Sequence, residues 1–374
     1  MTPRVPSVDA LRGLIMIIMA LDHVRDFFHF EAMQFRPEEL SRASAALFLT
    51  RWITHFCAPV FVFTAGIAAR LLLQRGRTKG ALSRFLWTRG LWLIFLEVTV
   101  VRFALLLAGS PNLLLLEVIW VLGVSMILLA GLIYVPSHLL APFSVAVIAL
   151  HNLAGPGQGS GPMGNLLHQQ GVFLLGPFVV LTAYPLVPWF AVMAVGYCFG
   201  QCFEIDDEER RRRIFAWTGL ALTAAFIALR FINVYGNPTP WDGTVLSFLN
   251  CEKYPPSLDF LLMTLGPAIL LLSRLSEPPD FLLTYGRVPL FFFVAHLYVI
   301  HTVAKLAAAW QLGRPDLLFS LTISMASPSR PGSYGFGLPV VYIVWLAVVA
   351  AMYPACHLFG ELKRQHKGWW LSYL

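Results

Sequence analysis

The residues best suited to chemistry lie on one apolar segment near the N-terminus, SVDALRGLIMIIMALDHVRDFFHF, which covers residues 7–30. Histidine can act as a general base near neutral pH, and a neighbouring carboxylate can orient its ring and raise its basicity. His23 has Asp22 beside it and Asp26 three positions later, and a second histidine, His29, follows. This combination predicts proton transfer by His23, with Asp22 or Asp26 as the orienting carboxylate.

A helix through this segment would place most of its ionisable residues on one side. With Asp22 at zero and about 100° per residue, all of them except Arg25 fall within an arc of roughly 160°. The residues on this arc are Asp9, Arg12, Asp22, His23, Asp26 and His29. An ionisable group inside a bilayer costs about 2.5–3.5 kcal/mol on insertion scales. We therefore expect this polar stripe to face protein or a water-filled cavity.

The composition is that of a helical membrane protein. Hydrophobic residues make up 57% of the 374 residues and charged residues only 13%, whereas soluble proteins carry about 25% charged residues. The net charge of +7 does not indicate nucleic-acid binding, because Lys and Arg cluster at the ends of apolar segments and set orientation there. The five cysteines are scattered, so they predict neither a metal site nor a disulfide framework.

About ten apolar segments are long enough to cross a bilayer, which takes roughly 20 residues each. They are Val8–Phe28, Ile53–Leu73, Phe85–Leu107, Leu113–Val135, Leu139–Leu153, Tyr184–Phe203, Ile214–Ile232, Leu258–Leu275, Val288–Trp310 and Leu338–Phe359. A further apolar run, Val172–Ala183, has the character of a re-entrant segment. With the N-terminus inside, alternate loops divide the positive charges as the positive-inside rule requires. We predict an all-α, polytopic membrane protein with cytoplasmic termini and a single transmembrane domain over residues 1–374.

Further candidates lie on other segments. His55, at the start of the second segment, either joins the same cavity as His23 or caps a helix. His296 lies in mid-span, where it either has a functional role or packs in the core. Arg12 and Arg89 are positioned to meet an anionic cofactor at the inner mouth, although topology by itself explains Arg89.

The loop Asn233–Pro256 mixes aromatic rings with polar groups. That mixture suits a sugar or another polyol at the outer mouth, and it equally suits an aromatic belt at the membrane interface. The candidate substrate-binding residues are Trp241, Asp242, Asn250, Lys253 and Tyr254.

Several motifs carry a resemblance to a known family. Ser7-Val8-Asp9-x-x-Arg12-Gly13 is followed, after an apolar run, by Pro59-x-Phe61-Val62-Phe63-x-x-Gly66. This order resembles the catalytic domain of heparan-α-glucosaminide N-acetyltransferase and its bacterial relatives. The later blocks YPLVPWFAVMAVGYCFG, KYPPSLDFLLMTLG and GRVPLFFFVAH are similar to those bacterial relatives. The arginine with a histidine eleven residues later also resembles the wider membrane acyltransferase-3 pattern.

The resemblance implies an acetyltransferase in the bacterial inner membrane that modifies cell-envelope glycans. Its donor would be cytoplasmic acetyl-CoA, or another acyl-CoA, and its acceptor a sugar, glycan or lipid-linked sugar across the membrane; a homodimer is among the expected assemblies. One departure divides the catalytic assignment between His23 and His29. In the family enzyme an Asn stands at the position of His23, and the catalytic histidine lies beyond the first span. The residues by themselves also fit an alternative, a proton-coupled small-molecule transporter that uses the Asp/His stripe as a relay.

Overall fold

The structure is a computed structural model that describes residues 5–106, 112–154, 161–314, 334–366 and 368. Helices dominate these residues. They are α1 (Pro6–Phe28), α2 (Ala45–Thr54), α3 (Cys57–Gln74), α4 (Lys79–Leu96), α5 (Arg102–Leu106), α6 (Val118–Leu132), α7 (Ser137–Leu150), α8 (Pro162–Leu167), α9 (Trp189–Phe199), α10 (Glu208–Ile232), α11 (Val245–Leu249), α12 (Leu258–Leu272), α13 (Asp280–Gly286), α14 (Pro289–Leu312) and α15 (Leu338–Gln365). A π-helical turn, Glu97–Val101, joins α4 to α5, and 3-10 turns follow α7 and α9 at His151–Leu153 and Gly200–Glu204.

Several of these helices have the length and composition of membrane spans. Within the described residues, four stretches qualify, namely the combined α2–α3 stretch Ala45–Gln74, α10, α14 and α15, while α6, α12 and Ser137–Leu153 are shorter apolar helices. The prediction of a mostly helical chain is confirmed, and these stretches support a membrane protein. The total of about ten spans and the cytoplasmic termini stay predictions. Lys367, residues 369–374 and residues 315–333 before α15 lie outside the described residues.

A small sheet departs from the all-α prediction. Its strands β1 (Leu113–Leu116), β2 (Gly171–Leu175) and β3 (Phe178–Thr182) lie in the order β1-β3-β2, with β1 parallel and β2 antiparallel to β3. β1 lies at the start of the predicted span Leu113–Val135. The β2–β3 hairpin lies where the sequence has the apolar run Val172–Ala183. A short continuous apolar run has no periodicity that separates a strand from a helix, which is why the sequence did not reveal the sheet.

The chain divides into two compact units. The first unit comprises Met1–Leu11, Ala58–Val98 and Asn112–Glu277, and the second comprises Arg12–Cys57, Thr99–Pro111 and Pro278–Leu374. The first unit contains the sheet and the closely packed helix pairs α4–α6 and α10–α12. The second contains most of α1, together with α2, α13, α14 and α15. The single domain over residues 1–374 stays a prediction.

In the first unit, α3 and α9 approach closely enough to require glycine. A Cβ atom on Gly66 would lie 2.0 Å from the carbonyl oxygen of Met193, and one on Gly196 would lie 2.1 Å from that of Phe63. Small residues at such positions let membrane helices bring their backbones into contact. The second motif of the sequence, Pro59 to Gly66, is therefore part of a helix–helix contact.

In the second unit, α1 is held along its length by later parts of the chain. A Cβ atom on Gly13 would lie 1.9 Å from the carbonyl oxygen of Leu282 in α13. Further along, the indole of Trp345 in α15 donates a 2.7 Å hydrogen bond to the carbonyl of Ile17. At its end, the ring of Phe27 lies 4.6 Å from that of His301 in α14. These contacts fix the part of α1 that carries the polar stripe.

Candidate active site

A buried set of ion pairs surrounds Asp22 in the second unit. Nη1 of Arg51 donates to both carboxylate oxygens of Asp22, at 2.8 and 2.9 Å, and the hydroxyl of Thr54 lies 2.6 Å from one of them. Nη1 of Arg25 lies 2.8 Å from Asp22, and Nη2 of Arg25 lies 2.6 Å from Asp26. Arg25 is 1% exposed and Arg51 7%. Opposite charges thus stabilise each other inside the protein, as buried ionisable groups on a membrane helix require.

Arg51 extends this network to Glu38 and His55. Its Nε donates to Oε1 of Glu38 at 2.7 Å, and Nε2 of His55 lies 3.4 Å from the same oxygen. His55 is fully buried and lies directly after α2, at the break before α3. Burial by itself would raise the pKa of Glu38, but the charge of Arg51 and the hydrogen bond from His55 hold that pKa well below its ordinary range. His55 therefore shares one network with Asp22, and its catalytic role stays a prediction.

His23 is hydrogen-bonded to His296. Nδ1 of His23 lies 2.7 Å from Nε2 of His296, and the ring centroids are 4.9 Å apart. His296 is fully buried in α14, where its Nδ1 lies 2.7 Å from the carbonyl oxygen of Phe292. His23 is half-buried. Both histidines were candidates from the sequence, but nothing in the sequence paired two residues 273 positions apart.

His29 has a different environment from His23. It directly follows the last residue of α1, and its amide still donates to the carbonyl of Arg25 at 2.9 Å. Its Nδ1 accepts a 3.2 Å hydrogen bond from the amide of Ala32, and the residue is 4% exposed. Burial and, secondly, the positive charge of Arg25 lower the pKa of His29 to about 4. The ring is therefore neutral near pH 7, with its proton on Nε2.

Three members of the network were not candidates from the sequence. Arg25 falls off the predicted stripe, yet its long side chain reaches Asp22 and Asp26 from there. Arg51 resembled a loop charge at the end of a span, and Glu38 lay in the loop itself. An arginine one turn before His55 within an apolar helix was the signal available for Arg51. The structure brings Asp22, Asp26, His55 and these three residues together, while the assignment of Asp22 or Asp26 as the orienting carboxylate stays a prediction.

The two arginines expected to bind an anionic cofactor belong to different units. Arg12 is half-buried on α1 in the second unit. Arg89 is half-buried on α4 in the first unit, with its guanidinium carbon 5.7 Å from the ring centroid of Phe85. Their role in cofactor binding stays a prediction.

The candidate substrate-binding residues lie in a loop of the first unit that folds around Arg230. The guanidinium of Arg230 is 2% exposed and donates to the carbonyls of Phe248 at 3.0 Å and Thr239 at 2.9 Å. It also donates to the carbonyls of Ser247 at 2.7 Å and Asn250 at 3.2 Å. One side chain therefore organises the loop backbone from inside. Arg230 lies near the end of the predicted span Ile214–Ile232, and its position in the sequence did not indicate this role.

The aromatic and acidic members of this loop differ in exposure. Trp241 is half-buried, and its ring packs edge-on against Phe231 at 5.7 Å and Phe248 at 5.3 Å. Asp242 is exposed, and the hydroxyl and amide of Thr244 donate to its carboxylate at 2.8 and 3.0 Å. These hydrogen bonds lower the pKa of Asp242. An anionic group next to a fixed aromatic ring is thereby presented at the surface of the first unit.

The candidate lysine of the loop is buried. Lys253 is 4% exposed, and its ammonium lies 5.8 Å from the ring centroid of Tyr184 and 5.1 Å from that of Tyr254. Such cation–π contacts stabilise a desolvated ammonium by about 2 kcal/mol. This arrangement gives Lys253 a structural environment, and its substrate-binding role, like that of Asn250 and Tyr254, stays a prediction.

The chain matches a known protein family. Residues 4–235, more than half of the chain, match the family model described as heparan-alpha-glucosaminide N-acetyltransferase, catalytic. The matched range contains the whole network around Asp22, and it ends before the loop residues from Trp241 onward and before His296. No curated protein matches the chain.

Proposed function

Because the chain belongs to the heparan-alpha-glucosaminide N-acetyltransferase catalytic family, we propose that it transfers an acetyl group from cytoplasmic acetyl-CoA to an extracytoplasmic sugar, glycan or lipid-linked sugar. The family implies acetyltransferase chemistry, and the long apolar helices agree with an enzyme embedded in a membrane. In the proposal, the membrane is the bacterial inner membrane and the acceptor belongs to the cell envelope.

The observation that carries the proposal is the partial exposure of His23 at the edge of a buried polar network. His29, His55 and His296 are 4%, 0% and 0% exposed. A general base must come within about 2.6–3.2 Å of the atom whose proton it removes. Among these four histidines, His23 is the one that an acceptor can reach from outside the protein core.

The hydrogen bonds also favour His23 over His29 as the base. Because Nδ1 of His29 accepts from the amide of Ala32, its neutral ring carries the proton on Nε2 and offers no further lone pair. In His23 the hydrogen bond to His296 engages Nδ1, so Nε2 is the nitrogen that the proposal assigns as the base. This difference supports His23 in the assignment that the sequence left divided.

In the proposed reaction, Nε2 of His23 takes the proton of an acceptor hydroxyl or amine as the acceptor atom attacks the thioester carbonyl carbon. The new C–O or C–N bond forms a tetrahedral intermediate. When this collapses, the C–S bond breaks, the electron pair leaves on the CoA sulfur, and the proton on His23 passes to that thiolate. His23 returns to its starting state, and such a base contributes about 10²–10⁴-fold to the rate. Arg12, in the same unit as His23, would hold a phosphate of CoA.

The alternative of a proton-coupled transporter finds less support in the geometry. A relay needs a carboxylate that is free to exchange partners as it binds and releases a proton. Asp22 is held by Arg51, Arg25 and Thr54, and Asp26 is held by Arg25. Asp22 joins α1 to α2 and Asp26 pairs with Arg25 within α1, which fits a structural role for both carboxylates.

The test uses purified full-length protein in lipid nanodiscs, with acetyl-CoA labelled with ¹⁴C in its acetyl group, and with glucosamine and a lipid-linked amino sugar as acceptor probes. Acetyl-CoA should raise the unfolding temperature, and label should move to an acceptor. His23→Ala should keep the acetyl-CoA stabilisation and lose at least about 10²-fold in kcat. The matched variant His29→Gln should keep most of the activity.

Three results would contradict this proposal. One is the absence of both acetyl-CoA stabilisation and transfer, combined with proton-gradient-driven uptake in liposomes, which would favour the transporter. Another is activity lost with His29→Gln and retained with His23→Ala. The third is an acetyl group recovered on His23 by mass spectrometry of quenched protein, which would replace direct transfer by a covalent route.

A further inference from the structure

We propose that His296 is a positioning residue that fixes the tautomer of His23, so that Nδ1 of His23 carries the proton and Nε2 carries the lone pair. The role of that lone pair as the base rests on the proposed function. The tautomer itself does not, because it follows from hydrogen bonds that exist whether or not the protein transfers an acetyl group.

The carbonyl oxygen of Phe292 can only accept hydrogen bonds. Nδ1 of His296 lies 2.7 Å from that oxygen, so Nδ1 must be the protonated nitrogen. Phe292 precedes His296 by one turn of α14, so this hydrogen bond lies within a single helix. The tautomer of His296 is thereby set by its own helix.

The surroundings of His296 favour its neutral form. The residue is fully buried, with the ring of Phe292 stacked on it at 4.9 Å and that of Phe293 edge-on at 5.9 Å. A positive charge in such an apolar setting is costly. With Nδ1 protonated and the ring neutral, Nε2 of His296 has a lone pair and can only accept.

The tautomer of His296 in turn determines which nitrogen of His23 carries the proton. Its Nδ1 lies 2.7 Å from the accepting Nε2 of His296, so Nδ1 of His23 must donate. The lone pair of the neutral His23 ring is consequently on Nε2. Phe293 also touches this ring, edge-on at 6.3 Å, and limits its rotation. A single carbonyl of α14 thus determines, through two rings, which nitrogen of His23 carries the lone pair.

This arrangement differs from the carboxylate–histidine pair expected from the sequence. The carboxylates nearest to His23 in sequence, Asp22 and Asp26, bind Arg25, and Asp22 also binds Arg51. An imidazole can orient the base and accept its hydrogen bond, but it adds no negative charge. We therefore infer that the partner of His23 contributes mainly orientation and tautomer.

The experiment compares His296→Gln with His296→Leu in full-length protein in nanodiscs. The amide oxygen of Gln can take the place of Nε2 and accept from His23, whereas Leu has no acceptor. Selective ¹⁵N-histidine labelling reports the tautomer by solid-state NMR, and His23→Ala identifies the His23 signal. We expect protonated Nδ1 on His23 in the wild type and in His296→Gln, and a shift to the Nε2-protonated form in His296→Leu.

Activity gives a second readout. His296→Leu should lower kcat by at least about tenfold with little change in KM for acetyl-CoA, and His296→Gln should restore most of the loss. His151→Gln is the matched control, since the buried His151 also pairs with a histidine, with its Nδ1 3.2 Å from Nε2 of His168, but lies in the first unit. It should change neither the His23 tautomer nor kcat.

An Nε2-protonated His23 in the wild type would overturn the inference. So would an unchanged tautomer and kcat in His296→Leu. Should His296→Leu fail to fold, the wild-type and His296→Gln spectra still decide the tautomer. If the wild type transfers no acetyl group, the proposed function fails by itself, and the spectra remain a separate test of the positioning by His296.

Discussion

Arg51 and Asp22, 29 residues apart in the chain, form a buried ion pair in which one guanidinium nitrogen lies 2.8 and 2.9 Å from the two carboxylate oxygens. The same guanidinium binds Glu38 through Nε at 2.7 Å. Arg51 therefore joins α2 both to α1 and to the loop that follows α1. Its fork-shaped donor set explains why one residue can hold two carboxylates.

Replacement of Arg51 by Leu should destabilise the protein by about 3 kcal/mol, because the buried carboxylate of Asp22 and the half-buried one of Glu38 would lose a charged partner. The estimate is at the low end for a broken buried pair because Arg25 stays beside Asp22. Thermal unfolding in detergent would measure the loss. Arg51→Lys keeps the charge without the fork and should lose less. Equal melting temperatures for wild type and Arg51→Leu would show that the ion pair contributes nothing.

The stability of the protein should depend on pH through His29. Its pKa is about 4 in the folded protein, whereas the unfolded chain has the ordinary value of 6.5. Between these values the unfolded state binds the proton and the folded state does not, so stability falls as the pH drops. The contribution of His29 is complete above about pH 6.5 and is lost progressively toward about pH 4.

Melting temperatures at about pH 7.5 and about pH 5 would measure this effect. His29→Gln cannot titrate, so the variant should show a smaller drop between the two conditions than the wild type. Identical pH profiles for the two proteins would contradict the low pKa of His29. An opposite slope, with higher stability at the lower pH, would show that the charged ring is stabilised.

Arg230 should control the order of the loop that follows α10. Arg230→Leu would leave the carbonyls of Phe248, Thr239, Ser247 and Asn250 without their donor. Hydrogen bonds to charged groups contribute about 1.5–3 kcal/mol each, and water would replace part of this loss. Hydrogen exchange of the amides in residues 237–252 should therefore become faster.

Arg213→Leu on the same helix is the matched control. Arg213 is 66% exposed and pairs with Glu209 one turn away, an arrangement that contributes about 0–1 kcal/mol. Its replacement should leave exchange in the loop unchanged. Unchanged exchange in Arg230→Leu as well would remove Arg230 as the organiser of the loop.

Two glycines should respond in opposite ways to alanine. The Cβ of Gly13→Ala would lie 1.9 Å from the carbonyl oxygen of Leu282, so the helices must separate and stability should fall by about 1–3 kcal/mol. Gly131, in α6, has no neighbouring atom within 4 Å of the added Cβ. Gly131→Ala should leave stability unchanged or raise it by up to about 1 kcal/mol. Thermal unfolding of both variants tests this pair, and a tolerated Gly13→Ala would disprove the tight contact.

Some features of the site could be predicted from the sequence because they depend on local spacing. The apolar run with Asp22, His23 and Asp26 on one side indicates a helix with a polar stripe, and α1 is helical from Pro6 to Phe28. The family also follows from local motifs, and the family match confirms it. Gly66 belongs to one of these motifs, and the structure places it in the contact between α3 and α9.

Other features required long-range pairing, which spacing does not encode. The helical angle of Arg25 lies outside the polar stripe, but its long side chain reaches the carboxylates. Arg51 becomes a partner of Asp22 only when α2 packs on α1. The sequence did not indicate β1 or the β2–β3 hairpin, because a short apolar run fits a strand and a helix equally well.

By its composition and local periodicity, the sequence determined a helical membrane protein with a histidine and two carboxylates on its first helix, and its motifs carried the resemblance to an acetyltransferase family. Only the tertiary structure decided the partners. In the structure, Asp26 pairs with Arg25, Asp22 pairs with Arg51, and His23 is hydrogen-bonded to His296. The physical reason is that a buried hydrogen bond needs both atoms within about 3 Å, and residues 273 positions apart reach that distance only through the packing of whole helices.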